Sequence, residues 1–176
     1  MEKPFTKYRK YGGYHHKLWN SGSPRYVSHV NKVKEWVKEK NVLDVGAGDG
    51  LITHILGITG IDNEPYAIKA AKRRGVDIVL GSAYNLPFKD EEFDSVFMGD
   101  TMEHFEEPMK AIKEARRVLK KYIYIVIPRK ESRMEPFQYH DWTPEEFKRD
   151  IENEGFKLEG EIELDNKKYY GKFLKV

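Results

Sequence analysis

Val42-Leu43-Asp44-Val45-Gly46-Ala47-Gly48-Asp49-Gly50 is the stretch that decides the fold of this 176-residue chain. An apolar, strand-like run is followed by three glycines that alternate with other residues. Because glycine allows positive φ and lets a ligand approach bare backbone, this pattern predicts a strand followed by a binding turn. A second apolar run, 58–61, is closed by Asp62, whose carboxylate can accept two ribose hydroxyls. The stretch therefore predicts a nucleoside-binding site.

The spacing of the turn distinguishes between kinds of nucleoside. A dinucleotide fingerprint reads G-x-G-x-x-G with an acidic residue about 20 positions on. Here the spacing is G-x-G-x-G, and Asp62 follows Gly50 by only twelve positions. A phosphate-binding P-loop would end in Gly-Lys-Ser/Thr, which is missing. Asp44 and Asp49 would repel a pyrophosphate but suit a positively charged ligand. S-adenosylmethionine fits, because it carries an ammonium group and a sulfonium on an adenosine.

Taken together, the motifs resemble those of class I S-adenosylmethionine-dependent methyltransferases. The resemblance rests on Asp44-x-Gly46-x-Gly48-x-Gly50, on Asp62, on the element 85–88 (Asn-Leu-Pro-Phe) and on the pair Glu103-His104. It is to the compact, Rossmann-like type 11 group, and it covers residues 40–156 closely. It implies S-adenosyl-L-methionine as the cofactor.

The resemblance also implies a cofactor site at the carboxyl ends of the strands, near the point where the strand order reverses. The glycine turn would hold the methionine part, Asp62 the ribose, and Asp100 with Thr101 would lie under the reactive methyl group. Ser82 stands where the family often has aspartate beside the adenine amino group, so that charge is missing here. The expected contacts are Asp44, Gly46, Ala47, Gly48, Gly50, Asp62, Asn63, Ser82, Ala83, Asp100 and Thr101, with Glu64 also flanking the adenine.

Helix and strand patterns alternate along the chain and predict an α/β fold. Strands are expected at 42–45, 58–62, 76–80, 93–99 and 122–127, and helices at 24–39, 51–56, 65–74, around 111–119 and from Thr143 to Gly155. Residues 156–164 and 168–176 predict a hairpin around Asp165-Asn166. The prediction is a doubly wound, mostly parallel seven-stranded sheet with a C-terminal antiparallel hairpin. Residues 1–176 would form a single methyltransferase domain, with an N-terminal arm at 1–25 and the catalytic core at 26–176.

Composition excludes several classes of protein. The hydrophobic fraction of 39% is that of a folded chain, and no apolar run approaches the ~20 residues of a membrane span. No signal-like segment opens the chain. Without cysteine there is no disulfide framework and no thiolate metal site. We therefore expect a cytoplasmic protein that does not engage a membrane.

The first 25 residues are basic and aromatic. They hold six Lys or Arg against a single acidic residue, together with five aromatic side chains: Phe5, Tyr8, Tyr11, Tyr14 and Trp19. Such a segment can cover the mouth of an active site as a lid. Basic residues interleaved with aromatics can also grip phosphates and stack bases, as RNA-binding segments do. Both interpretations follow from the sequence.

Two carboxylates and two imidazoles are candidates for a divalent-metal site. Asp100, Glu103 and His104 are spaced i, i+3, i+4, so one helical turn would place them on one side. His140 follows the neighbouring strand and could reach the same point. The pattern resembles two metal-using branches of the superfamily, which methylate RNA 3′ ends and quinone precursors and usually have Glu in place of Asp100. Alternatively, Glu103 complements a helix N-terminus, His104 lines the substrate pocket and His140 organises the loop before Thr143.

The sequence thus predicts methyl transfer to an acceptor that it does not identify. A small hydroxylated or aromatic metabolite is the first hypothesis, and a 2′-hydroxyl of RNA is the alternative. A third hypothesis is a non-catalytic protein that binds the nucleoside cofactor. His104, with Asp100, is the candidate catalytic base for a hydroxyl acceptor. The other histidines (His15, His16, His29 and His54) are predicted to be surface or packing residues.

Overall fold

A mixed sheet flanked by helices organises the computed structural model, which describes residues 7–129, 138–165 and 167–176. The helices are α1 (Lys7–Tyr11), α2 (Tyr14–Asn20), α3 (Pro24–Trp36), α4 (Leu51–Leu56), α5 (Pro65–Lys72), α6 (Pro108–Val118) and α7 (Pro144–Glu152). The strands are β1 (Val42–Val45), β2 (Thr59–Asp62), β3 (Ile78–Leu80), β4 (Phe93–Gly99), β5 (Leu119–Pro128), β6 (Phe156–Leu158), β7 (Glu163–Leu164) and β8 (Lys168–Lys175). A short 3-10 helix, Met102–His104, follows β4.

The strand order is β3-β2-β1-β4-β5-β8-β6, with β7 paired to β8. Strands β1 to β5 are parallel, and β8 runs antiparallel to β5. The predicted doubly wound, mostly parallel sheet with a reversed C-terminal strand is therefore confirmed. Seven strands follow one another across the sheet. The eighth, β7, arises because the predicted strand 156–164 is interrupted and forms two separate strands.

Helices cover both faces of the sheet, which explains why its central strands are apolar on both sides. All four residues of β1 are buried. Along β5, Ile123 and Ile125 join the cluster beneath α6 and α7. Tyr124 and Val126 alternate with them and pack on the opposite face, against Val33 of α3. Among the described residues, no helix is long and apolar enough to cross a bilayer.

Element boundaries differ from the predictions by a few residues, each for a local reason. Helix α3 ends at Trp36 rather than at 39, because Val37 adopts an extended conformation and buries its side chain. Strand β3 begins at Ile78 because Val76 still donates a backbone hydrogen bond to Ala71 at the end of α5. Strand β5 begins at Leu119, directly after α6. Asn166 of the predicted turn lies outside the described residues.

Strands β1 and β4 lie side by side at the point where the strand order reverses. The chain leaves β1 toward β2 on one side, whereas β4 and β5 extend the sheet on the other. The loops after β1 and β4 therefore diverge and leave a crevice beyond their carboxyl ends. This crevice is where the predicted site residues should meet.

Candidate active site

A cavity of about 320 Å³ occupies the crevice. Its walls come from the turn after β1, the ends of β2 and β4, the N-terminal helices and the start of β8. The volume falls at the lower end of the range typical of small-molecule sites.

The glycine turn forms the floor of the cavity. Gly46 and Gly48 have φ values of 78° and 57°, which other residues adopt at a cost in strain. A Cβ on Gly46 would collide with Thr101, and one on Gly48 would collide with the Tyr8 hydroxyl. The turn is held to β2 because the backbone N–H groups of Gly46 and Ala47 both donate to the carbonyl of Ile61, at 3.0 Å.

Asp62 fixes the turn from the neighbouring strand. Its carboxylate accepts a hydrogen bond from the Gly48 backbone N–H at 2.7 Å and another from the Glu64 N–H at 2.8 Å. Burial raises the pKa of Asp62, and these hydrogen bonds oppose the rise. Asp62 lines the cavity together with Asn63, so both stand where the sequence placed them.

Three of the residues expected near the cofactor do not line the cavity. Gly50, with φ of 76°, is instead the N-cap residue of α4. Glu64 is 1% exposed and caps α5 by accepting from the Tyr66 N–H at 3.0 Å, so its side chain lies behind the cavity wall. Ser82 accepts from the Tyr84 N–H at 3.1 Å within its own turn, and Ala83 lines the cavity in its place.

Asp44 is a buried carboxylate on the cavity wall. It accepts a hydrogen bond from the Thr53 hydroxyl at 2.7 Å. Burial raises the pKa of Asp44 to about 7, although the Thr53 hydrogen bond opposes that rise. The side chain can therefore change charge near neutral pH, and a positively charged ligand group beside it would favour the ionised form.

Asp49 points away from the cavity and anchors the N-terminal arm. Its carboxylate accepts from both the backbone N–H and the Nδ1–H of His15, each at 3.0 Å, and its carbonyl lies 3.1 Å from His16 Nε2. Burial works against ionisation, but the hydrogen bond and charge of His15 outweigh it and lower the pKa of Asp49. Helices α1 and α2 are thereby held over the glycine turn, and Tyr8 and Tyr14 line the cavity.

Asp100 and Thr101 form the opposite wall, after β4. Asp100 has a φ of 51°, an uncommon conformation for a residue with a Cβ. Its carboxylate forms an ion pair with Lys168 of β8 and lies 3.9 Å from His29 Nε2. Burial is the largest influence and opposes ionisation of Asp100, but the charge and hydrogen bond of Lys168, together with His29 and His15, outweigh it and lower the pKa of this carboxyl.

Comparison with known proteins identifies the fold and the motifs. Residues 43–127 match the family model described as a methyltransferase domain. The matched segment is thus a methyltransferase domain, and its motifs resemble those of the class I S-adenosylmethionine-dependent methyltransferases. A solved structure from Thermotoga maritima, described as a possible histamine N-methyltransferase, superposes with a TM-score of 0.81 at 23% identity and covers 96% of this chain and 98% of its own.

Curated relatives of this chain share the core but are longer. An uncharacterized protein of Methanocaldococcus jannaschii is 33% identical over 119 residues, which are 67% of this chain and 58% of that protein. The demethylmenaquinone methyltransferase of Thermotoga maritima is 32% identical over 100 residues, 52% of this chain and 44% of its own. The chain thus spans about half the length of these two relatives.

Glu103 and His104 also line the cavity, from the 3-10 helix. Glu103 is 2% exposed, and its Oε2 has no hydrogen-bond partner among the residues that the structure describes. Burial, and then the charge of Asp100, raise the pKa of Glu103 well above its usual value, which favours a neutral carboxyl. His104 Nε2 lies 3.7 Å from Glu103 Oε1.

The predicted metal cluster does not form. His140 donates its backbone N–H to the Glu103 carbonyl at 3.4 Å, but its imidazole stacks on Trp142 and places Nε2 3.3 Å from the Glu106 carbonyl. Asp100 is paired with Lys168 instead. Within residues 7–129, 138–165 and 167–176, no group of three or more metal-binding side chains is arranged to hold an ion.

Several cavity residues were missed by the sequence reasoning. His15 and His29 were predicted to be packing residues but line the cavity, as do Lys168 and Tyr26. One signal for His29 was available, since it precedes the buried Val33 by four positions and so falls on the inner face of α3. No local signal points to Lys168, whose position depends on the pairing of β8 with β5.

Proposed function

We propose that the protein transfers a methyl group from S-adenosylmethionine to a small hydroxylated or aromatic acceptor. The observation that carries this proposal is the glycine turn, with the carboxylates of Asp44 and Asp62 at its two ends and a cavity above it. Gly46 and Gly48 both line the cavity, and because they lack side chains, Thr101 and the Tyr8 hydroxyl pack directly against the turn.

The side chains present fit each part of this cofactor. When bound, S-adenosylmethionine supplies a methyl group on a positively charged sulfur. Asp44 would hold the ammonium group and Asp62 the ribose hydroxyls. Asn63 and Ala83 lie at the end of the cavity expected to hold adenine, whereas Asp100 and Thr101 lie at the end expected to hold the methyl group.

The cavity wall is aromatic and partly polar. Tyr14, Tyr26 and Phe105 contribute rings to it, and Glu103 contributes a carboxyl whose pKa burial raises. Flat rings and hydrogen-bonding groups suit a small cyclic acceptor. Two proteins similar to this chain carry names that refer to small molecules, demethylmenaquinone and histamine.

We propose further that the arm acts as a lid. Its helices α1 and α2 turn Tyr8 and Tyr14 toward the cavity, whereas a surface that stacks RNA bases would present rings outward. This orientation favours the small-molecule hypothesis over the RNA hypothesis. The protein's own contribution to rate would be to align the acceptor and exclude water.

Labelling with methyl-tritiated S-adenosylmethionine tests the proposal. The full-length protein is incubated separately with a small-molecule extract and with total RNA. We expect label in the small-molecule fraction and loss of labelling in an Asp62→Ala variant. Label in RNA would establish the alternative acceptor, and binding of the cofactor with no labelling of either fraction would establish the non-catalytic hypothesis.

A further inference from the structure

His29 is a buried imidazole that reaches the acceptor end of the cavity. It lies on α3, is 9% exposed and lines the cavity beside Asp100, with Nε2 3.9 Å from the Asp100 carboxylate. Its other nitrogen, Nδ1, lies 3.0 Å from the Tyr170 hydroxyl. Nδ1 is thus directed into the protein, and Nε2 toward the cavity.

The hydrogen bonds behind His29 determine which nitrogen carries the proton. Tyr170 donates its single hydroxyl proton to Asp165 Oδ2 at 2.9 Å. Asp165 accepts two further hydrogen bonds from backbone N–H groups, of Lys167 at 2.8 Å and of Lys168 at 2.7 Å. Burial opposes ionisation of Asp165, but these hydrogen bonds lower its pKa, so it is an acceptor.

The consequence is a single tautomer for His29. Since the Tyr170 proton is already given to Asp165, the Tyr170 oxygen can only accept from His29. Nδ1 therefore carries the proton, and Nε2 presents a lone pair toward Asp100 and the cavity. In catalytic triads a carboxylate fixes the histidine tautomer by accepting from Nδ1–H. Here the Tyr170 hydroxyl lies between the Asp165 carboxylate and the imidazole and has the same effect.

The surroundings keep the ring neutral. Burial, and then the Lys168 ammonium, lower the pKa of His29 to about 4, against the opposing charges of Asp100 and Asp165 and with a further lowering by His15. The ring centroids of Tyr26 and Tyr170 lie 6.1 and 6.0 Å from that of His29. A neutral ring with a free Nε2 is the state that accepts a proton.

Building on the proposed function, we infer that His29 is the catalytic base that takes the proton from a hydroxyl acceptor. The acceptor O–H proton passes to Nε2. The oxygen's electron pair forms the new bond to the methyl carbon, and the carbon–sulfur bonding pair stays with sulfur. In the imidazolium formed, the charges of the Asp100 carboxylate, 3.9 Å from Nε2, and of Asp165 behind Tyr170 offset part of the cost that burial and Lys168 impose. His104 adjoins Glu103 instead, whose carboxyl burial keeps neutral.

The tautomer is tested on the full-length protein labelled with ¹⁵N-histidine, with S-adenosylhomocysteine present. Two-bond ¹H–¹⁵N spectra should show His29 protonated at Nδ1 and not at Nε2 between about pH 6 and 8, because its pKa of about 4 lies below that window. Tyr170→Phe should release this preference, since it removes the oxygen that accepts from Nδ1. An Nε2–H tautomer, or an imidazolium at pH 7, overturns the inference.

The chemistry is tested with His29→Asn, whose amide nitrogen can still donate to Tyr170 but which has no Nε2. With the small-molecule extract as acceptor, we expect the labelling rate at pH 7 to fall about 100-fold or more, with S-adenosylhomocysteine affinity within about threefold. The loss should shrink as pH rises, because hydroxide can replace the base. The exposed His54→Asn is the matched control and should change neither quantity.

The outcomes separate the two proposals. If the wild-type protein does not bind S-adenosylhomocysteine, the proposed function fails. If it binds and labels the extract, but His29→Asn labels equally fast or His104→Asn alone loses the rate, only the assignment of His29 fails.

Discussion

Among single residues, Asp44 allows the most direct test of how charge affects cofactor binding. Its pKa of about 7 lies far above that of an ordinary aspartate, because burial disfavours the carboxylate. The ammonium group of S-adenosylhomocysteine should favour the ionised form. We therefore predict that affinity for S-adenosylhomocysteine increases as pH rises from about 6 to 8, as measured by titration calorimetry.

Substitution by asparagine isolates this effect. Asp44→Asn can still accept from Thr53 but cannot ionise, so affinity at pH 8 should fall about tenfold, the usual weight of a charge-assisted hydrogen bond. The remaining pH dependence should be small. An unchanged pH profile in Asp44→Asn would show that another group, such as Asp62, carries the dependence.

For His140, in contrast, we predict that substitution has little effect. Its imidazole packs on Trp142 and contacts the Glu106 carbonyl, outside the cavity. We predict that His140→Ala leaves both S-adenosylhomocysteine affinity and labelling rate within about threefold of wild type. A large loss of activity that added Mn²⁺ restores would reinstate the metal cluster that the geometry disfavours.

At the scale of elements, features formed by neighbouring residues could be predicted from the sequence, whereas contacts between distant strands could not. The glycine turn and Asp62 could be predicted because strand, turn and carboxylate lie within 21 residues of one another. Lys168 and Asp100 are 68 residues apart, and their contact depends on Pro128 pairing with Lys168 in the β5–β8 register. No sequence periodicity specifies such a register. The hydrogen bonds that link Asp165 through Tyr170 to His29 depend on the same strand and could not be predicted either.

The N-terminal arm shows the same limitation. Its basic and aromatic composition fitted both a lid and an RNA-binding segment, because composition does not state which way rings point. The deciding contact is between Asp49 and His15, which are 34 residues apart. Asp49 had been interpreted from sequence as part of the ligand's electrostatic environment, whereas its carboxylate is used to hold α2.

The Asp49 contact predicts how the arm responds to mutation and to pH. Asp49→Asn should weaken hydrogen bonds that depend on the negative charge, so amide hydrogen exchange in α2 should accelerate while exchange in β1, β4 and β5 stays unchanged. Because the pKa of Asp49 is lowered on folding, its stabilisation is present above the ordinary pKa and is lost as pH falls through the lowered value. Asp94→Asn, at an exposed ion pair with Lys120, is the control. Equal exchange in the two variants would contradict the anchoring role.

At the scale of the whole molecule, the sheet and the arm should be separable. Val30 and Val33 of α3 are fully buried, whereas α1 packs on α5, and α2 packs on α3 and on Asp49 of the glycine turn. We predict that deleting residues 1–22 preserves a cooperative thermal transition and the circular dichroism of the core but abolishes labelling of the extract. Full activity of the truncated protein would show that the arm is not a lid.

The architecture was the most predictable property of the chain. Alternating helix and strand patterns, together with the handedness of parallel crossovers, leave few possible arrangements. The observed order β3-β2-β1-β4-β5-β8-β6 places the two expected carboxylates, Asp44 and Asp62, on adjacent strands. The sequence patterns did not predict which side chains of β8 and α3 line the cavity.

The central claim is that the crevice between β1 and β4 binds S-adenosylmethionine, and one calorimetric measurement tests it most directly. Titration of the wild-type protein with S-adenosylhomocysteine should give one site in the micromolar range, weakened at least about tenfold in Asp62→Ala. The same titration with NADH should give no heat of binding. Tight binding of NADH with no response to S-adenosylhomocysteine would contradict the account.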